Sequence, residues 1–209
     1  MPKKKSQEGK SQPKLLLFGK WSSEGIEVKD PGLKRYISLK PCILPKSAGS
    51  LRKPFYKYKT NIVERLATHL MQSGHSGKKH KITSGHFGGA FTTVLKVVEK
   101  ALEIVEKKTK KNPIEVLVRA IENASIREEV ASYQVGGIIA RQAVVTSPQR
   151  RIDKTLRYFA QGAYHTAFNK KITTAEALAE EIINAYQGSN KSFAVREKER
   201  IEQEAAGAR

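Results

Sequence analysis

From Asn61 onward the apolar residues of this chain return every three or four positions, and that rhythm restricts most of it to helix. Ile62, Leu66 and Leu70, with Val63 and Ala67 beside them, form a first stripe that Gly74 is expected to end. Phe91, Val94, Leu95, Val98, Ala101, Leu102 and Val105 form the cleanest one, closed by a cationic run over 107–111 where lysines suit a helix C-terminus. Asn112-Pro113-Ile114-Glu115 reads as a helix start: a cap residue, proline in the first turn, and glutamate in capping-box position. Ser147-Pro148 opens a further helix through Ile152, Leu156, Phe159, Ala163 and Ala167. Thr173 with Glu176 makes another capping box, before a helix that Gly188 ends. A last segment, 191–206, is mostly charged and offers only Phe193, Ala194, Ile201 and Ala205 for packing, so it is expected to project or to order on a partner.

One stretch keeps a different rhythm. In "YQVGGIIARQAVVTSPQRR", residues 133–151, a Gly-Gly pair separates two apolar-containing runs. Val135-Gly136-Gly137-Ile138 fits a two-residue hairpin turn, because both glycines accept positive φ. An isolated hairpin is barely stable in water and needs a packing or binding partner. The outgoing strand carries Arg141 and the base carries Arg150, Arg151, Lys154 and Arg157. In a helix from Pro148, positions 150, 154 and 157 share one face, a cationic stripe suited to phosphate contact. The alternative is a surface hairpin with solvated arginines.

The net charge is +19, from 39 Lys and Arg against 20 Asp and Glu. Such self-repulsion calls for a negative partner. Nucleic acid leads and an anionic membrane surface comes second. Residues 1–59 hold 15 of the basic residues and 4 of the acidic ones, so the excess sits toward the N-terminus. There "MPKKKSQEGKSQPK" reads as a disordered basic tail without the apolar region of a signal peptide, and four prolines keep 15–59 extended. "LPKSAGSLRKPFYKYK" interleaves Lys46, Arg52, Lys53, Lys57 and Lys59 with Phe55, Tyr56 and Tyr58. Bases can stack on the rings while the cations meet phosphates, or the rings can tuck onto the core. The expected organisation is a basic, largely extended segment 1–59 and a helical domain 60–209 with a hairpin at about 130–146.

Other signals are weaker. His75, His80 and His86 share a loop that has no cysteine or carboxylate, so no metal or other cofactor is expected. Lys78-Lys79 lacks the arrangement of a nucleotide-binding loop. No catalytic constellation presents itself, and the chain is expected not to be an enzyme. Cys42 is the single cysteine, which suits a reducing compartment, and no apolar run reaches the ~18 residues that span a membrane.

"LFGKW" at 17–21, "LPKSAG" at 44–49, "NIVERL" at 61–66, "GKK" at 77–79, "NPIEVLVRAIENA" at 112–124, "RQAVVTSPQRR" at 141–151, "TTAEALAEEIINA" at 173–185 and "GSNKSFAVREKERIE" at 188–202 occur in this order. In these motifs the chain resembles the universal small-subunit ribosomal protein seven family, in its archaeal and eukaryotic branch. The resemblance implies a bundle of about six helices with a β-hairpin between the third and fourth. It implies binding to the 3′ major domain of small-subunit rRNA, nucleation of head assembly, and a hairpin reaching toward exit-site tRNA and the mRNA path. Neighbouring head and platform proteins are the further partners implied, and the cytoplasmic ribosome the location. Carried over by position, Lys78 and Lys79 match the family's basic loop after the first helix. Gly136 and Gly137, with Ile138 beside them, match the hairpin tip, and Arg150, Arg151 and Arg157 match its basic helix start. With Lys46, Arg52, Lys53, Lys57, Lys59, Lys81, Arg141 and Lys154 these cations make up the expected rRNA-binding set. The rival reading is a non-ribosomal nucleic-acid-binding module or chaperone. A membrane binder would need a strongly amphipathic cationic helix, whereas the best stripe, 91–105, reads as core.

Overall fold

The computed structural model describes residues 15–47, 54–73 and 87–209. Within them the chain is mainly α with one hairpin: α1 (Pro31–Lys34), a 3-10 turn (Tyr56–Lys59), α2 (Ile62–Leu70), α3 (Phe91–Thr109), α4 (Pro113–Ala124), β1 (Glu128–Val135), β2 (Ile138–Val145), α5 (Pro148–Ala167), α6 (Thr174–Tyr186) and α7 (Phe193–Ala206). The apolar stripes read from the sequence are the buried faces. Val94, Val98, Ala101, Leu102 and Val105 of α3 are fully buried, as are Ile62, Leu66 and Leu70 of α2. α2 ends at Leu70; the stop expected at Gly74 lies outside the described residues.

Caps fix where the helices begin. Asn112 accepts from the Ile114 N–H at 3.0 Å with Pro113 in the first turn. At α6 the full capping box forms, Thr173 Oγ1 accepting from the Glu176 N–H and Glu176 Oε2 accepting from the Thr173 N–H. Ser147 precedes α5 but makes no side-chain cap. α6 is the central rod. It packs against α3, α4 and α5, and its inward residues are largely alanines (Ala175, Ala177, Ala179, Ala185), small enough for three helices to approach.

The segment before α2 is strapped across the bundle. Leu17, Trp21, Leu33 and Ile37 are core residues. Trp21 Nε1 donates to Glu106 at 3.0 Å, and Lys20 bridges Glu99 and Glu103 on α3. Glu122 of α4 accepts from the backbone N–H groups of Lys29 and Asp30.

β1 and β2 pair antiparallel in the register Val135↔Ile138 to Glu128↔Val145, closed by Gly136 and Gly137 at φ 55° and 90°. Both values lie in the left-handed region that a type I′ turn demands, so the glycines are needed for backbone shape. A Cβ on either would meet nothing within 4 Å.

α7 departs from expectation: it neither projects nor waits for a partner, but lies against α5 and the root of the hairpin. Val195, which the charged character of the segment obscured, joins Ala194, Ile201 and Ala205 among its buried residues. Its start is capped from outside as well as by Ser192. The buried Glu181 of α6 accepts from Ser192 Oγ at 2.6 Å and from the Ala194 N–H at 3.0 Å. Gly162 of α5 makes room for this joint, since a Cβ there would stand 2.9 Å from both Glu181 Cδ and Phe193 Cβ. Gly162→Ala gains up to ~1 kcal/mol of helix propensity but costs about 1–3 kcal/mol of overpacking. Urea denaturation is expected to show net destabilisation, with amide exchange rising first in α7.

Candidate nucleic-acid interface

Two stretches that the sequence singled out separately converge on one cleft. The turn that follows Pro54 and the first turns of α5 line a cavity of about 760 Å³ with Arg35, Tyr36, Phe55, Tyr58, Arg150 and Arg157. α5 places Arg150, Lys154 and Arg157 on one side of its barrel and Ile152, Leu156 and Phe159 on the other, with the latter three fully buried.

Lys57, Arg65, Arg150 and Lys154 are held in place by two carboxylates, each of which serves more than one of them. Asp153 accepts from Arg65 at 2.8 Å and Lys57 at 3.0 Å, with His69 Nε2 at 3.5 Å. Arg65 is 1% exposed and spends its other amino group on the Tyr36 carbonyl at 3.0 Å. Burial alone would push the Asp153 carboxyl up; the contacts from His69, Arg65 and Lys57 outweigh it and hold the group well below its ordinary range. Glu129, at the base of β1, takes both nitrogens of Arg150 at 2.6 and 3.0 Å and Lys154 at 2.6 Å. Burial opposes ionisation there too, and the two cations win, so its carboxyl is also lowered. One carboxylate for two permanent cations leaves a surplus positive charge at each node. Arg35 and Arg157, which pair with no carboxylate among the described residues, add to it.

The other expected residues are placed as follows. Arg151 is turned inward, its guanidinium on Asp30 Oδ2 at 2.7 Å and Ser125 Oγ at 3.0 Å, so it ties the N-terminal strap to α5. Lys59 lies 4.1 Å from the centre of the Tyr56 ring and donates to its hydroxyl at 2.9 Å. With Lys46 it lines a smaller recess beside Glu64, on another side of the 3-10 turn. Arg141 stands opposite Ser132 on the hairpin and is outside the cleft. Gly136, Gly137 and Ile138 form the tip, with Ile138 74% exposed. Arg52, Lys53, Lys78, Lys79 and Lys81, and the loop histidines, lie outside the described residues.

Sequence reasoning missed the carboxylates and Arg65. The Arg65 signal was present: it follows Ile62 by three residues on the buried face of a helix, where an arginine requires a partner. Asp153 and Glu129 gave none, because their partners are 21 to 96 positions distant.

A mainly helical body with one projecting ribbon, and a cleft in which cations outnumber the carboxylates beside them, has the makeup of a protein suited to a polyanionic partner. Residues 33–209 match the family model described as ribosomal protein S7p/S5e. The chain is 50% identical over 197 residues to the small ribosomal subunit protein uS7 of Nanoarchaeum equitans, covering 94% of this chain and all of the relative. It is 46% identical over 198 residues to the protein of that name from Methanococcus maripaludis strain C6, covering 93% and 99%. For that of Archaeoglobus fulgidus the identity is 44% over 203 residues, covering 96% and 98%. The chain belongs to the S7p/S5e family of ribosomal proteins, a structural and non-enzymatic family.

Asp153→Asn leaves Arg65 buried without its counter-charge. The expected loss is about 2–3 kcal/mol, below the ~3–5 of a fully buried pair, since Asp153 is 27% exposed. The wild-type advantage should be complete above the ordinary carboxylate value of 3.8 and shrink as pH falls below it toward the lowered folded-state value. Urea titrations of both proteins between neutral and acid pH check both statements.

Proposed function

We propose that the cleft between the 3-10 turn and α5 is the face by which this small-subunit ribosomal protein holds the 3′ major domain of the rRNA, and that this docking nucleates assembly of the subunit head. The observation that carries it is the surplus of cations around the aromatic-walled cleft: two nodes that each fix two cations with one carboxylate, and Arg35 and Arg157, which pair with no carboxylate among the described residues. Fixed cations meet phosphates without first losing side-chain freedom, and their surplus remains after the internal pairs are counted. Such a site reads the shape and backbone of folded RNA. Lys46, Lys57 and Lys59 would extend the face around the 3-10 turn, and Arg52, Lys53, Lys78, Lys79 and Lys81 belong to the same proposed rRNA-binding set. Arg151 would act through its bond to Asp30, by keeping the strap against α5.

The hairpin is the second functional element in this reading. Tyr133, Ile138 and Ile139 are 48–74% exposed near its tip, and the contacts that hold the ribbon among the described residues include those at its base. It would reach the exit-site tRNA and the mRNA path, beside neighbouring proteins of the head and platform. A non-ribosomal nucleic-acid module or chaperone has no observation in its favour once the family is known.

Affinity for a transcribed 3′ major domain should fall steeply with salt. Arg157→Ala is expected to reduce the slope of log K against log salt by about 1, whereas Arg141→Ala should leave it nearly unchanged; filter binding across a salt series measures both. Replacing 136–140 with a minimal turn should leave incorporation into small subunits intact, read by sedimentation, and reduce retention of deacylated tRNA at the exit site. Loss of incorporation would contradict that division of labour.

A further inference from the structure

Phe55 combines two unfavourable properties. Its side chain is 88% exposed, the highest value among the large apolar residues described, and its φ is 60°, in the left-handed region that bulky residues rarely adopt. Packing accounts for neither. Conformations of this kind persist where the surroundings impose them, and they concentrate at binding sites. Here the surroundings are the 3-10 turn that begins at the next residue, tied down by Lys57 on Asp153 and by the Thr60 N–H on the Lys57 carbonyl at 3.2 Å. The outcome is a bare ring on one wall of the cleft.

The rest of the cleft supplies what a single nucleotide needs. Tyr58 gives a second aromatic wall, steadied edge-on against Tyr36 with ring centres 6.2 Å apart. Arg35 and Arg157 lie at the cleft and pair with no carboxylate among the described residues. Asp153 in the lining would repel a phosphate, but Arg65 and Lys57 neutralise it. The volume, about 760 Å³, falls within the roughly 300–1,000 Å³ of small-molecule sites and is far too small for a duplex.

We infer that the cleft receives one unpaired rRNA nucleotide, extruded from its helix, with the base stacked on Phe55 and its flanking phosphates on Arg35 and Arg157. This rests on the reading of the cleft as the rRNA face and adds a specific occupant to it. Stacking on an exposed ring is the usual way proteins engage unpaired bases, and it tolerates any base identity, so selectivity would come from where the RNA is unpaired.

The test uses the full chain and a transcribed 3′ major-domain fragment. Phe55→Asn removes the ring and keeps a residue that tolerates left-handed backbone, so its Tm should stay near that of the wild type. Its affinity should fall about 10-fold or more at every salt concentration with the slope unchanged, because a neutral contact is lost. Phe55→Trp should restore most of the affinity. Wild-type affinity for Phe55→Asn, alongside a flattened slope for Arg157→Ala, would overturn the stacked nucleotide and leave the cleft as the RNA face. If Phe55→Asn and Arg157→Ala both bound as the wild type does, the RNA reading of the cleft would fall, and this inference with it. An anchor for a neighbouring protein would show itself as unchanged binding to the protein-free fragment by Phe55→Asn, which also overturns the proposal.

Discussion

The shared carboxylate is the interaction on which this molecule turns. A protein with nearly twice as many cations as anions must keep those cations from driving its own surfaces apart, while leaving them available to a polyanion. Asp153 and Glu129 meet both demands. Asp153 draws cations from α2 and from the turn before it, and Glu129, on the hairpin's own strand, draws both of its cations from α5. The local repulsion is removed, the geometry is set, and a unit of positive charge remains at each point. Both groups stay ionised although burial opposes it, so the arrangement holds across the physiological range.

Asp153 and the separate Arg151–Asp30 pair join regions that are far apart in sequence. Lys57 and Asp153 are 96 positions apart, and Arg151 reaches Asp30 over 121. The N-terminal segment is thereby part of the body, with Leu17, Trp21 and Leu33 in the core and Asp30 bonded to α5. Breaking these contacts would disturb the cleft indirectly, by releasing the strap and the 3-10 turn that shape it.

The features legible in the sequence are those written in local chemistry. Thr173 and Glu176 announce a capping box because the two side chains are one turn apart wherever they occur, and Gly136-Gly137 announces its turn because only glycine is at ease at two successive positive φ values. The stripe from Val94 to Val105 is core because a helix buries what recurs on one face. Features that arise only when distant elements meet could not be read in this way. α7 looks too polar to stay docked until Glu181 caps its start and Gly162 lets it in. Arg151 reads as one more exposed cation until Asp30 arrives from the other end of the chain. Phe55 reads as one ring among several, since a left-handed φ at a phenylalanine has no signature of its own in the sequence.

The clamp at the base of the hairpin has a mechanical corollary. Glu202 and Arg209, in and just beyond α7, bond Arg127 and Glu128, where the ribbon leaves the body. Eight residues per strand make a finger about 27 Å long. At that length a tilt of about 10° where it is seated displaces its end by roughly 5 Å, about the separation of neighbouring strands. α7 and the residues just after it therefore set the pointing accuracy of the tip by seating its base, much as the mount of a telescope governs where the tube is aimed.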